Sequence, residues 1–502
     1  MLFILCGRFT LTIFPGKKNV REGEIDLHLI ELLKDWPCTI QGNWRDVTID
    51  SVTEHPNRLK KNCLFIARKG AHHDGMESIE EALDRGAAAI VIDRSVPECN
   101  LSKWSQRGVA IVTVPDCKRF LSYSSAQLSG DPSEELTIIA VTGTNGKTTV
   151  THFISQLLSQ FGIKTAVLGT TGCYIDGEKF DEEMPPLTTP TAEYLHPLLR
   201  KCKDRGVTHV ALEASSLGLE MGRLAHCHVS IGVFLNIGVD HFEEHGGREH
   251  YIAAKKRLCS LSEQLVVNCE DVECMHIVKD IELPIHLFGR NIAGGCMPSE
   301  ELIGSLPPGE HNRLNAMAAA TVVKLLGFPE REIFTAFRLL TLPEGRMQLV
   351  EHEGRRVYID YAHTPDALSA ALQAVTSLNP RKLICVFGCG GDRDKEKRPV
   401  MGKIAENYCD TVVLTSDNPR SEHPLAIVQH ILKGTADPTS ICVVMDRKRA
   451  IHQAIAASQP NDIVLIAGKG HETSQIIGSE EIRMSDLAEA MTALHQLETF
   501  QE

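Results

Sequence analysis

The run GTNGKTT, residues 143–149, has the residue types and spacing to hold phosphate. An apolar stretch, TIIAV, precedes it and reads as a buried strand, while THFISQLLSQF follows with apolar residues at helical spacing. Gly143, Thr144, Asn145 and Gly146 must therefore turn the chain between strand and helix. The two glycines allow backbone angles and close approaches that a side chain forbids, so successive N–H groups can face one concavity at a helix N-terminus. There Lys147 neutralises β- and γ-phosphate oxygens, and the Thr148 hydroxyl is placed to hold Mg²⁺, with Thr149 completing the run. The spacing G-x-x-G-K-T is two residues shorter than the common G-x-x-x-x-G-K-[ST] form, and Thr142 lies where a first glycine is sought. The chemistry is that of a nucleoside triphosphate.

Other polar residues fall at the ends of apolar runs. Glu213 ends VTHVALE, Asn236 and Asp240 follow VSIGVFL, Asp360 ends RRVYID, and Gly468 to Glu472 follow DIVLIA. Ligands collect at the carboxyl ends of strands in open α/β sheets, so a site between two such sheets is expected. Glu213 in EASS and His241 in VDHFEEHG are donors that could reach a metal near the phosphates. Lys255, Lys256 and Arg257 point about 100° apart on a helix, so only one need face a site, and alone the run reads as a solvated helix face. GCGGDRDKEKRP (388–399), TSDNPRSE (415–422) and GKGHE (468–472) also follow strands. Their glycine pairs do not complete G-x-G-x-x-G, because Arg393 and Thr473 occupy the third position, and a dinucleotide site is disfavoured. Arginines beside Asp and Asn suit a zwitterion, since guanidinium forks bind carboxylate while carboxylates and amides bind ammonium. The same residues also suit a salt-bridge network between domains.

The elements that must position these residues are α/β throughout. Residues to about 134 hold CLFIAR, SIEEALDRGAAAIVID and VAIVTV, a small α/β domain with DPSEE (131–135) as its exit linker. From 136 to about 341, LTIIAV, KTAVLGT, VTHVALEA, VSIGVFLNI and QLVVNC alternate with helical stretches, the pattern of a doubly wound, mainly parallel sheet. GRRVYIDY, KLICVFG, CDTVVLTS, SICVVM and DIVLIAG then build a second such sheet, with helices such as PDALSAALQAVTSL between them. At 502 residues the chain divides into about three domains, here 21–134, 135–341 and 342–502. The formal charge of −13 disfavours nucleic acid or an anionic membrane as main partner, though a local basic cleft for an anionic substrate is compatible with it. Sixteen cysteines without a CxxC pair point to reduced thiols and a cytoplasmic protein. MLFILCGRFTLTIF is too short to span a bilayer and lacks a basic n-region, so residues 1–20 read as a poorly packed extension or a start-site artefact.

In order along the chain, GTNGKTT, EASS, NIGVDHFEEHG, the helical AAK, HNRLN, GRM, DYAHTPDAL, GGDRDKEKRP, DNPR and GKGHE resemble the motifs of the Mur ligases, over about residues 45 to 480. The last four resemble the branch that adds the third peptide residue. The resemblance implies three domains: an N-terminal one for a UDP-sugar, a central P-loop ATPase and a C-terminal Rossmann-like domain that brings the amino acid to the nucleotide. It implies ATP-dependent amide formation with Mg²⁺, through an acyl phosphate, in peptidoglycan precursor synthesis. By the same resemblance Lys147, Lys255, Glu213 and His241 are catalytic. Lys255 is carbamylated and becomes an anionic oxygen ligand, helping Glu213 and His241 to hold a second Mg²⁺ while Thr148 and the phosphates hold the first. Asn315 contacts adenine, and Arg346 and Asp360 close on the nucleotide.

UDP-N-acetylmuramoyl-L-alanyl-D-glutamate is implied to meet Ser51, Ala71, His72, His73, Thr188, Thr189, Ser215, Met221 and Arg223. Four positions depart from the family pattern: Val52 stands for a common Arg, Leu187 for Asn, Leu217 for His and Met221 for Gln. Amino-acid choice is implied to rest on Arg393, Asp417, Asn418, Pro419, Arg420, Gly468 and Glu472. Relatives that add L-lysine do not usually keep the arginine of DNPR, and meso-diaminopimelate carries a second carboxylate for Arg420 to clamp, so meso-diaminopimelate is the expected substrate. A monomer without stable membrane association is expected. A sibling ligase adding L-lysine, another amino acid or a dipeptide, a folate polyglutamate synthetase, a phosphate-loop GTPase or kinase, and a nucleotide-binding relative without ligase activity are the alternatives.

Overall fold

The computed structural model describes residues 19–21, 24–70, 74–94, 96–181, 184–185, 187–240, 242–290 and 298–499. These pack as two compact units. The first takes the described residues of Met1–Ile139, Lys164–Ser230 and Ser260–Glu263; the second takes those of Ala140–Ile163, Ile231–Cys259 and Gln264–Glu502.

The first unit contains a five-stranded sheet in the order Thr39–Gln41, Ala110–Thr113, Ala89–Ile92, Cys63–Ile66, Ser51–Thr53. All neighbours are parallel except the pair of Thr39–Gln41 with Ala110–Thr113. The runs CLFI and AIVI are buried at every residue, as expected of parallel strands covered on both faces. Leu64, Ile66, Val91 and Val112 pack with Phe120 and Leu121, while Phe65, Ile90 and Ile111 pack with Ile79 and Trp104. Helix Cys117–Leu128 supplies Phe120 and Leu121 and is capped by Asp116, whose carboxylate accepts from the Lys118 and Arg119 N–H groups. Further on, Glu178–Asp181, Gly172–Ile175, Thr165–Gly169, His209–Glu213 and the first residues of Thr137–Thr142 lie side by side. The hairpin strands Gly172–Ile175 and Glu178–Asp181 were not legible in the sequence, having no apolar run of their own.

DPSEE, read as an exit linker, is ordered: Pro132–Glu134 form a 3₁₀ turn, and Pro132 and Ser133 are buried. Of residues 1–20, only Asn19 and Val20 lie among the described residues, where they pair with Asp26 and Ile25; the expectation for residues 1–18 lies outside them.

In the second unit the end of Thr137–Thr142 is followed across the sheet by Val229–Phe234, Ser262–Asn268 and Ile285–Phe288. A separate six-stranded sheet runs Gln348–His352, Arg355–Asp360, Ile463–Ala467, Leu383–Phe387, Thr411–Leu414, Cys442–Val443. Its first pair is antiparallel and the rest are parallel. Parallel register puts Asp360 opposite Ala467, so the loops after Asp360, Phe387, Leu414 and Ala467 leave from one edge. Leu383, Cys385 and Phe387 face one apolar core and Ile384 and Val386 another, which accounts for the unbroken apolar runs of these strands. Among the described residues the cysteines are free thiols, and no helix is long and apolar enough to cross a membrane.

One buried cluster of the first unit makes stability pH-dependent. Trp36 lies 5.4 Å from Phe120, 4.8 Å from Tyr123 and 5.4 Å from His226 between ring centroids. Ser122 Oγ lies 3.3 Å from His196 Nε2 and accepts from the His226 N–H at 3.1 Å. Burial, aided by the neighbouring His226, lowers the His196 pKa to about 3, and burial with Arg119 lowers that of His226 to about 4. Both rings are neutral in the folded chain, whereas the unfolded chain takes up protons below the ordinary value near 6.5. Their contribution is therefore complete above that value and is lost as pH falls towards 3. For fully buried His196 alone the loss by pH 5 is about 2 kcal/mol. Urea midpoints at pH 7 and pH 5 test this: the difference should shrink in His196→Leu, and an equal difference in both proteins would refute the assignment.

Candidate active site

The phosphate loop lies in the second unit, leaving its strand at Thr142 and entering helix Lys147–Ser159. Gly146 has a left-handed φ of +90°, and a Cβ there would lie 2.6 Å from Asn315 Oδ1, so both backbone angle and space require glycine. Asn236 clamps the loop: its Oδ1 accepts the Asn145 N–H at 2.9 Å and its Nδ2 donates to the Asn145 carbonyl at 3.1 Å. Thr144 Oγ1 accepts from the Gly238 N–H at 2.8 Å and shares a 2.8 Å hydrogen bond with the Tyr251 hydroxyl. Lys147 Nζ donates to the Gly143 and Thr144 carbonyls at 2.8 and 3.0 Å, which keeps the ammonium within the loop. Thr148 Oγ1 accepts from Arg346 Nη2 at 3.2 Å, and the Arg346 guanidinium lies 4.4 Å over the Tyr361 ring. Asp360 is buried, which raises its pKa against the pull of Arg346; its oxygens accept the Met347 and Ala362 N–H groups at 2.7 and 2.8 Å. Arg346 thus touches the loop directly, while Asp360 fixes the backbone beside Arg346. Asn315 sits against Gly146.

Of the run Lys255, Lys256 and Arg257, only Lys255 is buried, at 1% exposure. Burial, with the like charge of Lys147, holds its pKa far below the usual lysine value. Its Nζ lies 4.7 Å over the Tyr251 ring, the same tyrosine that bonds the phosphate loop. Asp240, also buried, is faced by His363 Nε2 at 3.8 Å and Lys397 Nζ at 3.9 Å. His241 lies outside the described residues, as do Ala71, His72 and His73.

In the first unit Glu213 is 1% exposed at its strand end. One carboxylate oxygen accepts from the Thr170 N–H at 2.9 Å and the other from Thr170 Oγ1 at 3.1 Å, while a Cβ on Gly169 would strike the carboxylate. Thr170 Oγ1 lies 3.1 Å from Thr188 Oγ1. Thr189 Oγ1 donates to the Glu213 carbonyl at 2.7 Å, accepts the Ser215 N–H at 2.9 Å and lies 3.0 Å from Ser215 Oγ. Arg223 Nη1 donates to the Thr189 carbonyl at 2.6 Å. Thr188, Thr189, Glu213, Ser215 and Arg223 therefore form one bonded group. Ser51 bonds Asp50 at 2.8 Å instead. Met221 lines a cleft of about 310 Å³ with Arg68, Lys69, Gly70, Asp93 and Lys118. Its three basic side chains were missed in the sequence, because Arg68 and Lys69 lie about fifty residues from Lys118. Thr170 was missed too, since a threonine in a loop carries no signal of its own.

The remaining predicted residues gather in the second unit, after the strands of the six-stranded sheet. Asn418 Nδ2 donates to Glu472 Oε2 at 2.9 Å, and Lys469 Nζ donates to Asn418 Oδ1 at 3.0 Å and to Glu472 Oε2 at 2.7 Å. Lys469 is fully buried, and its place in GKGHE was the available signal for it. Gly468 has φ +115°, and a Cβ there would lie 2.7 Å from Asp417 Oδ2. Gly391 packs directly against the Pro419 carbonyl. Arg420 Nη1 donates to the Gly391 carbonyl at 2.9 Å, and Arg393 Nη1 pairs with Glu244 Oε1 at 2.6 Å.

A nucleotide loop on a parallel α/β sheet, joined to loops of a second sheet that carry paired arginines and carboxylates, defines a ligase-type site. The chain belongs to the Mur ligase family: residues 141–323 match the Mur ligase middle domain and residues 345–470 the Mur ligase glutamate ligase domain. It is 36% identical over 479 residues to the UDP-N-acetylmuramoyl-L-alanyl-D-glutamate--2,6-diaminopimelate ligase of Caldanaerobacter subterraneus subsp. tengcongensis, covering 91% of this chain and 96% of that one. To the ligase of the same name from Rhizobium meliloti it is 35% identical over 481 residues, with coverage of 91% and 96%. A solved structure of a ligase of that name superposes with a TM-score of 0.63 at 30% identity, covering 94% of this chain and 99% of that one.

Proposed function

We propose that this protein is an ATP-dependent ligase that adds meso-2,6-diaminopimelate to UDP-N-acetylmuramoyl-L-alanyl-D-glutamate in peptidoglycan precursor synthesis. The observation that carries this reading is the joining, in one unit, of a phosphate loop to the DNPR and GKGHE loops' sheet through Arg346 and Thr148. Residues 21–134 are read as the UDP-sugar domain, 135–341 as the ATP domain and 342–502 as the amino-acid domain. The basic cleft of Arg68, Lys69 and Lys118 supports binding of an anionic nucleotide-sugar.

Among the described residues no three His, Cys, Asp or Glu side chains make a metal site by themselves. The donors that fit Mg²⁺ are hard oxygens: the Thr148 hydroxyl, and the Glu213 carboxylate, each of whose oxygens keeps a lone pair beyond its Thr170 bond. Lys255 fits as a carbamate, because a lysine kept neutral by burial can add CO₂ at nitrogen, release a proton and become anionic. Each of these groups, like His241, suits magnesium, which when bound would offset the repulsion between a carboxylate and the γ-phosphate. Lys147 brings a cation to the same phosphate and stabilises its in-line transfer to the D-glutamate carboxylate, giving ADP and an acyl phosphate. The amine of diaminopimelate then attacks the acyl carbon, a tetrahedral intermediate forms and phosphate leaves. Asp417 and Glu472 suit the ammonium groups of this amino acid, and Arg393 and Arg420 its carboxylates.

Phosphate release should require ATP, the UDP-sugar dipeptide and diaminopimelate together. Release without either acceptor would mark a plain nucleotide hydrolase, and faster turnover with L-lysine than with diaminopimelate at equal concentration would mark the sibling ligase.

A further inference from the structure

Arg398 is fully buried and belongs to none of the groups assigned above. Its guanidinium forks onto Glu422, with Nη1 to Oε2 at 3.0 Å and Nη2 to Oε1 at 2.9 Å, and Nη1 also lies 3.3 Å from His430 Nδ1. Nη2 reaches the Gly390 carbonyl at 3.1 Å. The next carbonyl, that of Gly391, is the one Arg420 Nη1 grips at 2.9 Å. Two arginines therefore hold consecutive peptide groups of one glycine-rich loop. The lacing continues outward: Glu422 Oε1 accepts the Asp392 N–H at 2.8 Å, and Asp392 accepts the Ser421 N–H at 3.1 Å and its hydroxyl at 2.6 Å. The Gly391 N–H donates to the Asn418 carbonyl at 2.8 Å.

Asn418, Arg420, Ser421 and Glu422 each bond the 390–392 loop directly, and Arg398 bridges the two loops through Glu422 and Gly390. Arg398 holds the Glu422 carboxyl down at about 2, so the pair stays ionised through the working pH range. Arg420 itself has a left-handed φ of +50°, which a side chain adopts only where its surroundings hold it. Its backbone is pinned by the Ile476 carbonyl and the Gly478 N–H, and its Nη1 is aimed by the Gly391 carbonyl at 2.9 Å, with the Asn418 carbonyl at 3.5 Å.

We propose that Arg398, locked to Glu422, is a positioning residue that aims Arg420 and so sets which amino acid the protein accepts; this rests on the ligase reading above. A lysine at 398 keeps the charge but loses the planar fork, so it cannot hold Glu422 through both oxygens and Gly390 together. The glycine-rich loop then shifts, and Arg420 loses its aim. An amino acid with a second carboxylate suffers from this, while one that ends in an ammonium has no use for Arg420.

The test compares kcat/KM for meso-diaminopimelate and L-lysine in the full chain. Arg398→Lys should lower the diaminopimelate-to-lysine ratio by about tenfold or more. Asp392 is exposed, so Asp392→Asn leaves the core intact and should lower the ratio in the same direction by about threefold. If Arg398→Lys does not fold, Asp392→Asn alone decides. A parallel fall for both amino acids, or an unchanged ratio, overturns the positioning role. Wild-type protein that shows no amino-acid-dependent phosphate release overturns the ligase reading as well, and that result comes from wild type without any variant.

Discussion

Lys255→Ala should lose most of the ligase activity, with kcat falling on the order of a hundred- to a thousandfold, the scale on which a preorganised charged group acts at a phosphoryl or acyl transition state. An added short carboxylate should restore part of it by occupying the space of the carbamate. The expectation follows from where the side chain lies: beside two exposed basic neighbours, Lys255 alone is buried, and burial with the nearby Lys147 favours its neutral form. An ammonium there would put a second cation beside the phosphate-loop lysine. A carbamate replaces that repulsion with attraction to Lys147 and to any bound cation. Stripping bicarbonate from the buffer should slow wild type and leave Lys255→Ala at its residual rate. Full activity in the variant would remove Lys255 from the chemistry.

Arg420→Lys should cost about 2–5 kcal/mol of transition-state binding for diaminopimelate, the usual consequence of breaking a hydrogen-bonded charge pair. In kcat/KM this is roughly thirtyfold to a few thousandfold. L-lysine should be affected far less, because it lacks the second carboxylate that the guanidinium would clamp. Since Arg420 Nη1 also holds the Gly391 carbonyl, lysine is a better replacement than alanine: it keeps a donor and a positive charge at the loop. Equal losses for the two amino acids would mean that Arg420 shapes the loop without reading the substrate.

Much of this arrangement was legible in the sequence because the strands of both large sheets are unbroken apolar runs with chemistry at their ends. Glu213, Asp360 and the GKGHE run fall where the periodicity put them, at strand termini. Lys255 is the instructive case. Helical geometry allowed one residue of the KKR run to turn inward, but only packing selects Lys255 over Lys256. The antiparallel hairpin Gly172–Ile175 with Glu178–Asp181 escaped because its residues are mostly half-exposed or exposed, leaving no apolar run to mark it. Supporting residues escaped for another reason. Thr170, Tyr251 and Arg398 act by holding a neighbour that is distant in sequence, as Tyr251 holds Thr144, and no local pattern encodes such a pairing.

On the role proposed for Arg393, its pair with Glu244 would make amino-acid capture an exchange. Arg393 already holds a carboxylate, at 2.6 Å, so an incoming carboxylate would displace Glu244 from it. With both side chains partly solvated, such a swap changes the free energy little. Arg393 would then work as a turnstile more than as a grip, admitting acids as a class while adding little to the affinity of any one of them.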